Sequence, residues 1–306
     1  MRILLLTFTG TGNTKICGDF IADEFLSNGH EVIHYVYNVN DPFNEDINSF
    51  DMIGVGYPIH AFNTPQIFTK WMKSLPKVTN KLFFVYKVSG EPFSFNNASS
   101  NLFVKKLKRK GYKKIAEKHF LMPYNIMFRY KDEIAKQMYL YLKALTKLFV
   151  QEIIHKDYEV IPYHLGPKFL SLIFRIEWIA PKVNAPLCKM NKNCTKCGLC
   201  MDNCPMHAIY ISKKGKMKFK SSKCSMCMRC TMNCPTNAIR FGIMNAWKIN
   251  GMYDYDKILK DESINPNYIN ENTKGYFHKF NKYFRKQNLL LAKYKIDNPL
   301  KDYLSK

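Results

Sequence analysis

No stretch of the chain reaches the ~18–20 uninterrupted apolar residues that a transmembrane helix needs. The opening Met1-Arg-Ile-Leu-Leu-Leu-Thr-Phe8 is apolar only briefly. Thr9-Gly10-Thr11-Gly12-Asn13-Thr14 then stands where a signal-peptide cleavage site would be expected. The start is read as a first strand and the protein as cytoplasmic. Acidic residues are scarce, but only in one part of the chain. Residues 1–100 hold 7 Lys and Arg against 9 Asp and Glu, whereas residues 101–306 hold 40 against 15. A solvated lysine-rich face explains part of this excess. Its confinement to the last two thirds implies an acidic partner, an anionic membrane face or nucleic acid. What is present supports packed cores: 46 % of residues are hydrophobic and 14 % aromatic, and 306 residues suit two modest domains.

Eight of the ten cysteines repeat one pattern. The first quartet is Cys194, Cys197, Cys200 and Cys204 with Pro205; the second is Cys224, Cys227, Cys230 and Cys234 with Pro235. Two-residue spacing wraps three thiolates around one cubane, and the fourth cysteine reaches the other cluster. Cluster one is therefore assigned Cys194, Cys197, Cys200 and Cys234, and cluster two Cys224, Cys227, Cys230 and Cys204. The flanks Cys204-Pro-Met-His-Ala-Ile209 and Cys234-Pro-Thr-Asn-Ala-Ile239 repeat as well, a sign of internal duplication. Disulfides do not suit a chain read as unsecreted. Structural zinc uses paired CxxC units without a third cysteine or the Cys-Pro ending. Two [4Fe–4S] clusters follow, with one-electron transfer as the default role. Of the remaining cysteines, Cys17 is expected as a buried small hydrophobe. Cys188, six residues ahead of the first quartet, is a candidate spare thiol near cluster one.

The N-terminal half alternates strands and helices, which implies a parallel sheet covered on both faces. Strands are expected at 2–8, 31–37, 52–56, 81–88 and 114–121, and helices at 13–27, 65–74, 98–110 and 132–155. The first turn, Thr9, Gly10, Thr11, Gly12, Asn13 and Thr14, opens a helix, so hydroxyls and backbone N–H groups converge at its positive end. It has neither the Lys-Ser/Thr of a triphosphate loop nor GxGxxG. An uncharged, hydroxyl-rich cradle suits a single terminal phosphate such as that of FMN.

With that loop in place, residues 1–160 resemble a flavodoxin, an α/β doubly wound parallel sheet in the order 2-1-3-4-5. The resemblance implies FMN on the Thr9–Thr14 loop. It implies that Tyr57, Pro58, Ile59, His60, Ala61, Phe62 and Asn63 line the flavin ring and that Ser89, Gly90 and Glu91 contact its pyrimidine side. Tyr57, Phe62 and Phe93 are the stacking candidates, and His60 is a candidate to donate to the flavin or move a proton near neutral pH. The whole chain resembles the flavodoxin–ferredoxin fusion proteins of anaerobic bacteria and archaea, with a small α+β two-cluster ferredoxin domain at 188–240. Bacterial ferredoxins are usually acidic, yet residues 186–240 hold 11 Lys and Arg against the one acid Asp202. Such cations favour the reduced clusters and should raise their potentials.

Residues 161–187 form a Pro-bounded linker whose Phe169–Ala180 run is expected as a helix packed on one or both domains, with peripheral membrane contact as the alternative. Residues 241–306 form a basic, aromatic extension with amphipathic spacing at Phe277, Phe280 and Phe284. Packing on the ferredoxin domain explains these aromatics more economically than nucleic-acid stacking. The sequence thus reads as an electron-transfer flavoprotein, a carrier rather than an enzyme, linking one-electron and two-electron carriers. Its expected partners are acidic redox proteins of ferredoxin or flavodoxin type. The competing readings are a flavin-dependent reductase of a small substrate and a docking subunit for an acidic partner.

Overall fold

The computed structural model describes residues 1–158, 169 and 171–303, and of Ile176 the backbone only. Where the first domain passes into the linker, residues 159–168, the expected boundary lies outside the described residues. The first domain runs β1 (Arg2–Thr7), α1 (Asn13–Ser27), β2 (Glu31–Val36), β3 (Met52–Pro58), α2 (Gln66–Ser74), β4 (Lys81–Ser89), α3 (Asn101–Lys108), β5 (Tyr112–Leu121) and α4 (Asp132–Ile154). The five strands form one sheet in the order β2-β1-β3-β4-β5, parallel throughout. This is the flavodoxin-like doubly wound order, with its switch point between β1 and β3.

The sequence dictates this sheet because its central strands are apolar on both faces, as a sheet sandwiched by helices requires. Ile3, Leu5, Phe84 and Tyr86 pack with α1 and α4. Leu4, Leu6, Val55, Tyr57, Phe83 and Val85 pack with α2 and α3 on the other face.

The helix α4 is buried nearly all round, from Ile134 to Ile153. A helix of that kind needs cover on its outer side as well. The C-terminal extension supplies it through α8 (Tyr255–Lys260) and α9 (His278–Lys293), counting the intervening helices given below. Phe280, Phe284 and Leu291 join the core on the α4 side, and the Tyr141 and Phe284 rings lie 4.6 Å apart. Gln137 acts as a backbone surrogate: its amide donates to the Ile269 carbonyl at 2.8 Å and accepts from the Ile269 N–H at 2.9 Å. The extension's aromatics therefore pack chiefly on the flavodoxin-like domain and not, as expected, on the ferredoxin domain. The apolar outer face of α4 is the larger surface needing cover.

The linker continues as a short helical stretch at 171–173, a 3-10 segment Phe174–Trp178 and α5 (Ala180–Asn184). Beyond it lie β6 (Cys188–Met190), α6 (Leu199–Asp202), β7 (Ile209–Ile211), β8 (Met217–Phe219), α7 (Arg229–Met232) and β9 (Ile239–Phe241). The strands pair antiparallel as β6 with β9 and β7 with β8 around a core of Ile209, Phe219, Met228, Ile239 and Phe241. Among the described residues no helix is long and apolar enough to cross a membrane.

Candidate functional site

The duplicated cysteine motifs fold as duplicated backbone. Lys196 and Met226 share positive φ values of 58° and 52°. Gly198 and Met228 follow at 82° and 64°, and His207 and Asn237 at 44° and 49°. Left-handed residues other than glycine are costly and persist where their surroundings impose them. Here the turn must aim successive thiols inward. Each Cys-Pro cysteine then accepts a backbone N–H: Ala208 donates to Cys204 Sγ at 3.3 Å and Ala238 to Cys234 Sγ at 3.2 Å. Hydrogen bonds to sulfur are one of the means by which a protein sets cluster potential.

The thiols gather in two groups. Cys200 lies within electrostatic reach of Cys194, Cys197 and Cys234. Cys230 lies within reach of Cys204, Cys224 and Cys227, and those four line one small cavity. Each group draws its members from both quartets. Among the described residues no three or more His, Cys, Asp or Glu side chains converge as the ligands of a single metal ion. Burial pushes the Cys200 thiol up to about 11 and Cys224 up to about 12. Iron bound to such thiols would deprotonate them outright. Cys188 is also buried, but beside Cys224 and Cys230, hence by the second set and not the first. The β6–β9 pairing carries it there.

A cavity of about 890 Å³ opens at the carboxyl edge of the sheet, within the usual size range of ligand pockets. Thr9, Gly10, Thr11, Asn13 and Thr14 form one wall, and Pro58, Ile59, His60, Ala61 and Phe62 a second. Ser89, Gly90 and Glu91 form a third, and Cys224 and Cys227 close it from the second domain. Gly12, with φ 102°, is the N-cap of α1, which has neither a side-chain cap nor an acid in its first turn. Its N–H groups thus face no competing carboxylate, which suits an anion. Thr9 Oγ1 accepts from the Gly12 N–H at 3.0 Å, and Thr11 Oγ1 accepts from Asn125 at 2.9 Å.

The loop after β3 is a tight turn. His60 and Asn63 exchange both backbone hydrogen bonds, at 2.9 and 2.8 Å, and Ala61 and Phe62 take positive φ of 39° and 62°. Asn63 holds this conformation by donating to the Ala61 carbonyl and, across to the linker, to the Ser171 carbonyl at 2.9 Å. Phe62 meets Phe93, Phe95 and Phe174 edge-on. Tyr57, expected at the flavin, instead points into the core between Phe68 and Phe103 and bonds Ser99 at 2.8 Å. Gly12 and Asn63 shape loops without lining the cavity. Burial pushes His60 down to about 4. It is neutral at neutral pH, so it can donate an N–H but not carry a proton there.

The third wall is preorganised by polar contacts. Ser89 Oγ sits 2.7 Å from His119 Nε2, accepts from Asn96 at 3.1 Å and donates to the Glu91 carbonyl. Glu91 is buried; one carboxylate oxygen pairs with Lys279 of α9 at 3.0 Å. The other is buried with no hydrogen-bond partner among the described residues. The sequence reading missed the 122–127 loop, Glu177, Trp178, Trp247, Tyr276 and Lys279, which also line the cavity. The first follows β5; the others arrive from linker and tail segments whose long-range packing leaves no local motif. An uncapped helix start and an aromatic rim at the carboxyl edge of the sheet together fit a flavin with a terminal phosphate.

A family model described as a 4Fe-4S dicluster domain matches residues 193–238. Solved structures similar to this chain include oxidised flavodoxin 1 from Bacillus cereus, 16 % identical, covering 51 % of this chain and 98 % of that one, with a TM-score of 0.38. A flavodoxin from Streptococcus pneumoniae TIGR4 is 17 % identical over 51 % and 99 %, TM-score 0.37. A flavodoxin from the domain Archaea is 15 % identical over 51 % and 100 %, TM-score 0.37. No curated protein matches the chain. At such scores the strand order and register above carry the fold assignment. The chain joins a flavodoxin-like domain to a ferredoxin-type 4Fe-4S domain, an architecture that supports electron transfer.

Proposed function

We propose that the protein is an iron–sulfur flavoprotein that passes electrons between two [4Fe–4S] clusters and FMN, linking one-electron to two-electron carriers. When bound, FMN would exchange two electrons in single steps and each cluster one. One observation carries this reading. A single cavity is bounded by the phosphate loop, the two flavin loops and the cysteine loop Cys224–Cys227. Arg229, just beyond that loop, donates from Nε to the Gly10 carbonyl at 2.5 Å and fixes the domains to each other. Cys194, Cys197, Cys200 and Cys234 do not line the cavity, and Cys197 is exposed. The second set is therefore the inner relay and the first the outward one, where Lys192 and Lys196 favour an acidic carrier.

Flavin and iron content of anaerobically purified full-length protein, with a dithionite titration, tests the reading. About one FMN and eight iron atoms, taking up about four electrons, are expected. Iron without flavin, even after FMN is added, would leave a ferredoxin with a docking domain.

A second reading, reduction of a small substrate over the flavin, is favoured by the far end of the cavity. There burial raises the Glu177 carboxyl to about 8, so it holds a proton at neutral pH beside Trp178. Turnover with quinones or nitro compounds, lost in Glu177→Gln, supports it; absence of turnover leaves the carrier.

A further inference from the structure

The linker leaves an apolar face uncovered. Phe169, Leu172 and Ile173 recur at helical spacing and are exposed, Phe169 to 65 %. Ile179 and Val183 follow four residues apart, also exposed. The 3-10 segment Gly242–Trp247 packs against α5 and adds exposed Ile243. Exposed apolar side chains gathered on adjoining short elements mark an interaction site. The other side of the same segment, with Phe174, Glu177 and Trp178, lines the cavity. The linker is thus a wall with a polar demand on its inner side and bare hydrocarbon on its outer side.

The surrounding charge is of one sign. Glu177 is the only acid between residues 171 and 187, and it belongs to the cavity. Lys182 is exposed between Ile179 and Val183. On the adjoining ribbon Lys189 and Arg240 are directly opposed, and their neighbours Cys188 and Phe241 are buried, so both cations point outward. Like charges facing each other across a ribbon are unfavourable unless something anionic lies over them. Lys248 adds another positive charge within reach of Arg240.

We propose that this face docks on an anionic phospholipid surface. Leu172, Ile173, Ile179 and Val183 enter the headgroup boundary, and Lys182, Lys189 and Arg240 meet the phosphates. Aliphatic and Phe side chains on short helices with a cationic rim are the composition of an in-plane membrane helix. A protein-docking patch would concentrate aromatic residues, Met and Arg at its centre, whereas this face is mainly aliphatic, with Leu172, Ile173, Ile179 and Val183 exposed. An anionic surface also answers the opposed Lys189 and Arg240. Docking places the linker wall of the cavity against the bilayer.

The test is flotation of the full-length, cofactor-loaded protein with phosphatidylcholine vesicles, with and without phosphatidylglycerol. Binding is expected only with phosphatidylglycerol, weakening as salt rises. Ile173→Asp with Val183→Asp, and separately Lys189→Glu with Arg240→Glu, should each weaken binding about tenfold while flavin and iron content stay unchanged. No binding at low salt overturns the proposal. So does binding that the Asp pair leaves unchanged, which is adhesion of a basic chain. If vesicles are inert and the Asp pair instead slows cluster reduction by an acidic redox protein, the face docks protein and the proposal falls.

Discussion

A Cβ placed on Gly10 would lie 2.5 Å from the carbonyl oxygen of Cys227 and 2.9 Å from its Cβ. The phosphate loop and the second cysteine loop are therefore in backbone contact, and only glycine admits that approach. Gly10→Ala should push the loops apart at a cost of about 1–3 kcal/mol. It should also weaken FMN binding, because Gly10 lines the cavity wall that Thr9 and Thr11 build. Arg229→Ala, which removes the bond to the Gly10 carbonyl, should act in the same direction. Denaturant midpoints and FMN titrations read both effects. A Gly10→Ala protein unchanged in both would mean the domain contact is not what aligns the site.

The crossed ligand sets make a prediction that single substitutions cannot. Cys194 and Cys234 both lie with Cys200, although they are forty positions apart in the chain. A Cys194→Ala, Cys234→Ala double variant should therefore lose one cluster and keep about half its iron. Cys194→Ala with Cys204→Ala should strip both clusters. Iron analysis and EPR of the reduced proteins distinguish the two. The reverse pattern would assign each quartet to its own cluster.

The same contrast between local and distant information explains what could be read from the sequence. The parallel sheet was legible because β1 and β4 are apolar on both faces, and the quartets because cysteine spacing is itself coordination geometry. Tyr57 was misplaced although strand parity held the answer: Ile53, Val55 and Tyr57 alternate onto one buried face. A position next to a functional loop outweighed that alternation. Residue type makes His60 a candidate either to donate to the flavin or to move a proton, and only burial, which holds it neutral, decides between the two. Cys188 and the extension required pairings such as β6 with β9 and α9 on α4, for which no local signal exists.

Phe280 is fully buried and belongs to the core shared by α1, α4 and α9. Phe280→Ala should cost about 3–5 kcal/mol, the cavity penalty of a buried Phe. The loss should appear in unfolding of the flavodoxin-like domain, and the iron content of the native protein should be unaltered. Lys279 stands beside it, so flavin affinity should also fall if α9 shifts and frees Glu91. Loss of iron with an unaltered flavodoxin-like domain would show that the extension supports the ferredoxin side after all.

Acid should weaken the fold in two stages, because buried groups on β5 and the 60–63 turn resist protonation. Burial, then the Lys87 charge, lowers His119 to about 3, and burial lowers His60 to about 4. The unfolded chain takes up protons at both near pH 6.5 and the folded chain does not. Stability is therefore complete above about 6.5 and falls as pH drops toward 4 and 3. Glu117 follows lower down. Burial alone would raise it, but Lys87 at 2.6 Å and Lys114 at 2.5 Å outweigh burial and hold it at about 2. Its contribution is complete above about 4.5 and lost toward 2. His119→Gln, which can still bond Ser89, should flatten much of the first stage. Lys87→Met leaves the buried Glu117 with one cation, Lys114, and the Ser100 hydroxyl that donates to Oε1 at 2.6 Å. It should destabilise the protein by about 3–5 kcal/mol at neutral pH and move the second stage upward. Denaturant midpoints measured from pH 8 to pH 3 would show both stages. A stability curve flat down to about pH 4.5 would mean the two histidines can be protonated in the folded state.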